Sequence, residues 1–157
     1  MTKAAQIVVV RRAAQADLEG VLALRLALLE ELLPPGAPRP DVEINRAFLS
    51  TQLAGDDFPI YVAEAGDAIV ATGAMSLYQA PPLGRPEHIE GYIMNMYTRP
   101  AWRGRGLARR ILDALAAHAQ SAGARKIWLR ASPMGRPLYV QAGFIANDAY
   151  MERTLIR

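Results

Sequence analysis

A short segment between Thr98 and Ala108 alternates arginine with glycine, and it is the part of the chain best suited to chemistry. Glycine lets a backbone approach a ligand closely and turn its amides inward. The first amides of a helix have no acceptor within that helix, and the helix dipole makes that end positive. With Arg103, Arg105 and Arg109 around such a turn, the segment predicts a binding site for phosphate groups.

The positive charge of the chain is concentrated in the same region. Between Glu90 and Asp113 there are five arginines and no acidic residue, and the formal net charge of the chain is +3. Without these five arginines, the rest of the chain carries a net charge of −2. The sequence therefore favours a local anion site over a protein that is cationic across its whole surface.

Two common phosphate-binding loops do not fit this segment. A P-loop ends in Gly-Lys-Ser or Gly-Lys-Thr, and that ending is absent. A dinucleotide-binding fingerprint needs a glycine three residues after Gly106, where Arg109 stands, and it normally follows a first strand. Here the turn follows about the fourth strand, so a nucleotide kinase and a dehydrogenase are both disfavoured.

The spacing of apolar residues and the turn residues predict a mixed α/β fold whose central sheet positions this turn. The 157 residues are expected to form a single domain. Strands are expected over Ile7–Val10, Ile60–Glu64, Ala68–Leu77, Ile89–Thr98, Lys126–Ala131, Phe144–Ile145 and Tyr150–Ile156. Helices are expected from a cap at Asp17 to Leu33, over Val42–Ala54, from the Gly104–Gly106 turn to Ser121, and over Gly135–Ala142.

Missing residue types and segments constrain the function further. The chain has no cysteine, which excludes disulfides, thiolate metal ligands and a cysteine nucleophile. Its two histidines, His88 and His118, are not spaced as a metal site, and none is predicted. The chain starts without a signal-peptide pattern and has no apolar stretch long enough to span a bilayer, so we expect a soluble, cytoplasmic protein.

Two motifs resemble one enzyme family. Arg103-x-x-Gly106-x-Ala108 resembles the Gln/Arg-x-x-Gly-x-Gly/Ala pyrophosphate loop of the GNAT superfamily of acyl-CoA N-acyltransferases. The segment from Tyr139 to Phe144 is similar to the Tyr-x-x-x-Gly-Phe element of the same family. One predicted helix and one predicted strand separate the two motifs, as in the family, and the resemblance extends from about Ile89 to Phe144.

The resemblance implies an α/β (α+β) fold with a mostly antiparallel sheet of about seven strands and about four helices. It also implies that the sheet is splayed between its fourth and fifth strands. The implied activity is an acetyl-CoA-dependent transfer of an acetyl group to a primary amine. Because no cysteine can carry the acetyl group, we expect direct attack in a ternary complex. A homodimer formed through the C-terminal strands is also implied as a possibility.

The resemblance also implies a set of site residues. The strand before the loop would bind the pantetheine arm through its backbone, in the way that a peptide adds to a sheet edge. Tyr139 would protonate the leaving thiolate and touch the cofactor, and Ser132 stands where many members have a cofactor-binding asparagine. The implied cofactor-binding residues are Met96, Tyr97, Thr98, Arg103, Gly104, Arg105, Gly106, Leu107, Ala108, Arg109, Ser132 and Tyr139.

Deprotonation of the amine calls for a general base, and Glu90 is the best carboxylate candidate. Strand alternation places Glu90 on the face of Tyr92, Met94 and Met96, unless a bulge intervenes. Glu90 could equally be an exposed glutamate at a strand end. Asn95, a polar residue in an apolar strand, could instead orient a water molecule or the acceptor, or it could form a hydrogen bond with a neighbouring backbone group.

The acceptor site is expected to be formed by the first helix, the loop that follows it and the loop before Ile89. The stretch Pro34–Pro40 would form a stiff wall of this site. The acidic residues Glu30, Glu31, Asp56 and Asp57 could attract a cationic amine, although solvated surface carboxylates explain them equally well.

Two other functions remain open at this point. One is a non-catalytic acyl-CoA sensor with the same fold, because Ser132 departs from the family pattern and the base is uncertain. The other is a nucleic-acid-binding module that uses Arg99–Arg110. This second alternative is weak, because only Tyr97 and Trp102 could stack on bases. We expect neither a nucleic-acid nor a membrane partner.

Overall fold

A five-stranded sheet forms the centre of the computed structural model, which describes residues 7–84 and 86–155. Its strands are β1 (Val8–Arg12), β2 (Ile60–Ala65), β3 (Ala68–Gln79), β4 (Ile89–Thr98) and β5 (Ala124–Leu129). The helices are α1 (Leu18–Leu32), α2 (Val42–Leu53), α3 (Leu107–Ser121) and α4 (Arg136–Gln141). Short 3₁₀ turns occupy Gln15–Asp17 and Pro100–Trp102.

The strands lie in the sheet in their chain order. β1 to β4 pair antiparallel, and β5 pairs parallel with β4. Antiparallel neighbours can be joined by a tight turn, and β2 and β3 are joined in this way. A parallel neighbour needs a long crossover, which α3 supplies between β4 and β5. The predicted mixed fold with a mostly antiparallel sheet is confirmed.

Helices cover both faces of the sheet, and the sheet divides the core into two parts. α3 packs on one face, which we call the α3 face, through its buried residues Leu107, Ile111, Leu112, Leu115 and Ala119. α1 and α2 pack on the other, the α1 face, where they bury Val21, Leu22, Leu24 and Leu49. The buried residues of α3 recur at i, i+4 spacing, which is typical of a helix that packs on one side.

The sheet opens between β4 and β5, as expected. β5 pairs with β4 only over Ile89–Ile93, where Ile93 lies opposite Leu129. From Met94 to Thr98, β4 pairs with β3 alone, so its other edge carries backbone groups without a strand partner among the described residues. The splay lies directly before the turn that leads into α3.

A β-bulge changes the side-chain pattern of β4 at this point. Ala74 lies opposite Met94 and Thr72 opposite Tyr97, so that two residues of β4 face the single residue Gly73. Asn95, one of these two residues, has a positive φ of 55°. Met96 therefore packs into the α3-face core, whereas Met94 packs on the α1 face. Met96 therefore does not share a face with Glu90: a bulge, for which the expectation made an exception, is present and reverses the alternation.

The expected pair of closing strands is absent from the described residues. After Leu129 the structure has no strand up to Leu155, so the sheet has five strands and not seven; Ile156 lies outside the described residues. Ile145 and Met151 are each 92% exposed, so the apolar residues on which these strands were predicted do not pack against the sheet.

Asp17 does not cap α1 with its side chain, contrary to expectation. Its carboxylate instead accepts a hydrogen bond from the Ala14 amide at 2.7 Å and pairs with Arg11 at 2.8 Å. The cap position was predicted correctly, but the side chain folds back onto the preceding turn because Arg11 lies there.

Candidate active site

The glycine-arginine turn lies between the splayed end of β4 and the start of α3. Gly104 and Gly106 have φ values of 74° and 73°, a conformation that glycine adopts without strain. A Cβ atom built at either position would meet no heavy atom within 4 Å. The turn therefore presents bare backbone to open space, as a ligand cradle requires.

The amides of this turn are free to bind an anion. Among the described residues, no acceptor receives a hydrogen bond from the amides of residues 104–109. The first helical bond runs from the Arg110 amide to the Gly106 carbonyl at 3.1 Å. The positive end of the α3 dipole lies at the same place.

The five arginines of this region do not form one cluster. The Arg99 Nε donates to the Ile69 carbonyl at 3.0 Å, and the Arg110 Nη2 donates to the Val8 carbonyl at 3.0 Å. Both side chains thus point back to the sheet and brace the turn. The five arginines are close together in the sequence, but in the structure their side chains make contacts in different places.

Arg103 is also engaged within the protein. Its Nε donates to the Thr98 carbonyl at 2.9 Å, and its Nη2 contacts both Glu31 oxygens at 2.9 and 3.0 Å. The Tyr97 hydroxyl donates to the same carboxylate at 2.9 Å. The Tyr97 hydroxyl and the Arg103 guanidinium hold the pKa of Glu31 below its ordinary value. The negative charge of Glu31 is therefore balanced by the charge of Arg103, and this ion pair connects α1 to the turn.

Arg105 and Arg109 themselves belong to the segment of free amides, residues 104–109. Arg105 lies over the Trp102 ring at 4.7 Å from its centroid. Arg109 pairs with Asp113 at 2.9 Å, one helical turn further along α3, and both side chains are partly exposed. Arg105 also donates to the Ala101 carbonyl at 3.1 Å, and Arg109 donates to the Gln141 carbonyl at 3.5 Å. An exposed ion pair such as Arg109–Asp113 is weak, so a phosphate that binds nearby could replace it at little cost.

Tyr139 lies on α4, with 9% of its surface exposed. Its ring packs edge-on against Phe144 at 5.9 Å and joins the α3-face core. Burial raises the pKa of the Tyr139 hydroxyl, which keeps this group protonated at neutral pH. The hydroxyl makes no hydrogen bond within the described residues, and none of the fully buried side-chain polar atoms there lacks a partner. The hydroxyl must therefore reach the surface.

Ser132 opens a turn that leads into α4. Its Oγ accepts a hydrogen bond from the Gly135 amide at 3.1 Å, and its carbonyl accepts from the Arg136 amide at 3.0 Å. The Ser132 hydroxyl uses an acceptor lone pair in this contact and keeps its proton available for a ligand.

Glu90 is buried on the α1 face, with 9% of its surface exposed, so the alternative of an exposed strand-end glutamate is wrong. Three groups contact its carboxylate: the Tyr78 hydroxyl at 2.8 Å, the Lys126 Nζ at 3.1 Å and the His88 Nε2 at 3.2 Å. Burial alone would raise the pKa of Glu90, but these partners together hold it below its ordinary value. The carboxylate is therefore ionised at neutral pH.

Aromatic side chains continue the α1 face from Glu90 towards the splay. The rings of Tyr92 and Trp128 stack at 4.4 Å, and the Trp128 Nε1 donates to the Tyr78 hydroxyl at 2.8 Å. Glu90 stands four residues before Met94, which is about 13 Å of strand. A proton that moves between the splay and Glu90 must therefore be relayed.

Arg25 is a site residue that the sequence analysis missed. Its Nη1 donates to the Asn95 Oδ1 at 2.5 Å, and its Nε contacts the Asn45 Oδ1 at 3.4 Å. Arg25 occupies a position in the apolar stripe of α1, between Leu22 and Leu29. A charged residue at a core-facing position is the signal that could have identified it.

The remaining expected residues lie further from this centre. His118 contacts the Tyr61 hydroxyl through its Nδ1 at 3.2 Å. The stretch Pro34–Pro40 borders a hollow of about 270 Å³. In the part of the chain that the structure describes, no three His, Cys, Asp or Glu side chains are grouped to hold a metal ion. No helix there is long and apolar enough to cross a bilayer.

The site therefore has two sides. Tyr139 belongs to the α3-face core, whereas Glu90 and Arg25 lie on the α1 face. Between them β4 and β5 separate, so a group held in the gap can be approached from both faces of the sheet. If β4 and β5 were paired along their whole length, a group on one face of the sheet could not be reached from the other face.

Comparison with known proteins gives consistent matches. The model of the acetyltransferase (GNAT) family matches residues 25–144. Glucosamine 6-phosphate N-acetyltransferase 1 of Oryza sativa subsp. japonica is 28% identical over 130 residues, which cover 80% of this chain and 76% of that protein. Glucosamine 6-phosphate N-acetyltransferase of Trypanosoma brucei brucei is also 28% identical, over 87% of this chain and 91% of that protein.

A solved structure agrees with the fold. The crystal structure of a predicted acetyltransferase with acetyl-CoA from Clostridium acetobutylicum superposes with a TM-score of 0.82. Its sequence is 31% identical, and the alignment covers 95% of this chain and 97% of that one. The family match spans most of the chain and includes the glycine-arginine turn, the splay and Tyr139. The chain therefore belongs to the GNAT acetyltransferase family and is an acyltransferase enzyme.

Proposed function

We propose that this enzyme transfers an acetyl group from acetyl-CoA to a primary amine by direct attack in a ternary complex. One observation carries the proposal: the free edge of β4 from Met94 onward lies directly before a turn of unbonded amides. An extended arm that ends in phosphates fits this combination of strand edge and anion cradle.

Acetyl-CoA supplies an acetyl thioester, which an amine nucleophile can attack. In the proposed complex, the backbone of Met96–Thr98 binds the pantetheine arm by strand addition. The amides of Gly104–Arg109 bind the pyrophosphate, with Arg105 and Arg109 as the nearby cations. Ser132 offers its hydroxyl proton to the same ligand. The open space around Gly104 and Gly106 supports this assignment.

Tyr139 acts as the general acid in this proposal. Its hydroxyl has no protein acceptor among the described residues, and burial raises its pKa, so it holds a proton that can pass to the leaving sulfur. α4 places Tyr139 on the α3 face, so the proton arrives from the side of the sheet opposite to the amine.

Glu90 acts as the general base through a relay. Its carboxylate is ionised at neutral pH and lies on the α1 face, from which the amine approaches. Because about 13 Å of strand separates Glu90 from Met94, water molecules must carry the proton between them. The two named relatives act on glucosamine 6-phosphate, which makes amino sugars a rational first set of acceptors.

Two measurements test the proposal. Acetyl-CoA at saturating concentration should raise the melting temperature of the protein, whereas duplex DNA should not. A panel of amines, assayed by release of free CoA thiol, should then identify an acceptor, and its double-reciprocal plots should intersect. No thermal shift with acetyl-CoA would overturn the proposal, and parallel plots would overturn direct transfer. Binding without turnover over the whole panel would favour a sensor.

A further inference from the structure

Arg25 is a half-buried cation that has no carboxylate partner among the described residues. Every aspartate and glutamate of the chain falls within the described residues, and none lies within 4.0 Å of its guanidinium. Its recorded contacts are with neutral side-chain oxygens, those of Asn95 and Asn45. A guanidinium has five N–H donors, so most of the donors of Arg25 are left for another acceptor.

This situation differs from that of another arginine near the start of α1. Arg11 contacts two carboxylates, Asp17 at 2.8 Å and Glu64 at 2.9 Å. Arg25 instead keeps its full positive charge under partial burial, which lowers its pKa without removing the proton. An uncompensated charge in such a place costs stability, and it becomes favourable when an anion binds.

Arg25 is also held at the point where the chemistry is proposed to occur. Its partner Asn95 belongs to the β4 bulge, next to Met96, and takes the left-handed conformation with φ 55°. That conformation is uncommon for residues other than glycine, although asparagine tolerates it. The bulge thus turns an amide oxygen towards Arg25 and fixes the guanidinium beside the splay.

Two of the four carboxylates that were expected to attract a cationic amine have cation partners of their own. Glu31 is neutralised by Arg103, and Asp56 pairs with Arg12 at 3.0 Å. The amide groups of Asn45 and Asn95 are neutral. Arg25 is therefore a cation beside the splay whose guanidinium no aspartate or glutamate among the described residues contacts.

We propose that Arg25 binds an oxyanion of the acceptor, so that the acceptor is a small amine carrying a carboxylate or a phosphate. This inference rests on the proposed function, because it concerns the acceptor of the same transfer. Arg25 selects among amines by charge, while Asn45 and Asn95 orient the planar guanidinium for two parallel hydrogen bonds. Amines without a negative group, including polyamines, are accepted poorly.

Paired acceptors isolate the effect of the anion. D-Glucosamine and D-glucosamine 6-phosphate differ by a phosphate, and alaninamide and alanine differ by a carboxylate. With the wild-type enzyme, kcat/KM should be higher for the anionic member of at least one pair. Arg25→Gln should reduce kcat/KM for that member by tenfold to a hundredfold and leave the neutral member nearly unchanged. The pair that responds identifies the oxyanion.

Further variants separate recognition from folding. Arg25→Lys keeps the charge but loses the planar fork, so it should retain part of the preference for the anionic member. Arg125→Gln removes an exposed arginine on β5 and should match the wild type. Acetyl-CoA should stabilise all three variants as much as the wild type.

Three outcomes would overturn the inference: equal losses for neutral and anionic acceptors in Arg25→Gln, an unchanged preference, or weaker acetyl-CoA binding in that variant. If no amine is turned over, thermal shifts with the same pairs in the presence of CoA give the same comparison. Equal shifts for both members in wild type would then overturn it. Failure of acetyl-CoA itself to bind would instead overturn the proposed function.

Discussion

Met96 lies directly over Gly73: a Cβ atom built at position 73 would stand 2.4 Å from the Met96 sulfur and 2.7 Å from the Ile111 Cγ2. The β4 bulge is the reason, because it turns Met96 onto the α3 face opposite this glycine. The Met96 side chain can thus occupy this position only because residue 73 on β3 is a glycine and has no side chain.

We therefore expect Gly73→Ala to strain the bulge. The added methyl group has no room between Met96 and α3, and overpacking of this kind costs about 1–3 kcal/mol of unfolding free energy. Acetyl-CoA affinity should fall as well, because the free edge of β4 begins at the bulge. Urea unfolding and a ligand titration measure the two effects. Gly55→Ala is the control, since its nearest contact would be 3.9 Å away, and a similar loss in that variant would refute the explanation.

The glycines at the two ends of α3 provide a matched pair for the phosphate cradle. Gly106 and Gly123 have φ values of 73° and 79°, and in both cases an added Cβ would meet nothing within 4 Å. Alanine at either position should cost about 1 kcal/mol of stability from backbone strain. Only Gly106→Ala should weaken acetyl-CoA binding, measured by calorimetry. Equal affinities for the two variants would exclude the cradle from phosphate binding.

Tyr139→Phe should separate catalysis from stability. The hydroxyl has no partner within the described residues, so its removal should leave the melting temperature and acetyl-CoA affinity nearly unchanged. A lost general acid lowers kcat by roughly 10²–10⁴-fold. Stopped-flow or steady-state release of CoA provides the measurement. Tyr61→Phe, which alters a tyrosine bonded to His118, is the control, and wild-type turnover in Tyr139→Phe would remove this residue from the mechanism.

The ion cluster at Glu90 predicts a pH dependence of stability. The pKa of Glu90 is lower in the folded protein than its ordinary value, so ionisation of this group stabilises the fold. The contribution is complete well above the unfolded-state value of about 4.3 and disappears as the pH falls through the depressed value. The free-energy difference between wild type and Glu90→Gln should therefore be constant near neutral pH and shrink below about pH 4.

Tyr78→Phe tests the cause of that shift. Removal of the hydroxyl takes away one of the three partners of the carboxylate, so the pKa of Glu90 should rise. The loss of stability on acidification should then begin at a higher pH than in the wild type. Urea unfolding across pH 3 to 7 compares the two proteins, and identical profiles would show that Tyr78 does not stabilise the ionised form.

The sequence predicted the elements that depend on local patterns. The apolar stripe of α3, the hairpin of β2 and β3, and the bounds of β4 all follow from residue spacing, and each is found in the structure. The turn at Gly104 and Gly106 was also predicted, because positive φ values at glycines are a local property.

Features that depend on distant partners were not predicted. The contact between Arg103 and Glu31, 72 residues away in the chain, was not predicted. Arg25 was overlooked because its significance depends on Asn95, 70 residues away. The closing strands were predicted from apolar residues alone, and a strand also needs an edge on which to pair. Sequence patterns specify periodicity, but they do not specify which residues meet.

The arginine contacts around the turn have a consequence for ligand affinity. Arg99, Arg103 and Arg110 fasten the turn to β3, α1 and β1 before any ligand arrives. A flexible loop would have to lose its conformational freedom on binding, and that loss would subtract from the interaction energy. Here the loss has already occurred during folding. If a phosphate binds in the turn as proposed, less conformational entropy is lost than on binding to a flexible loop.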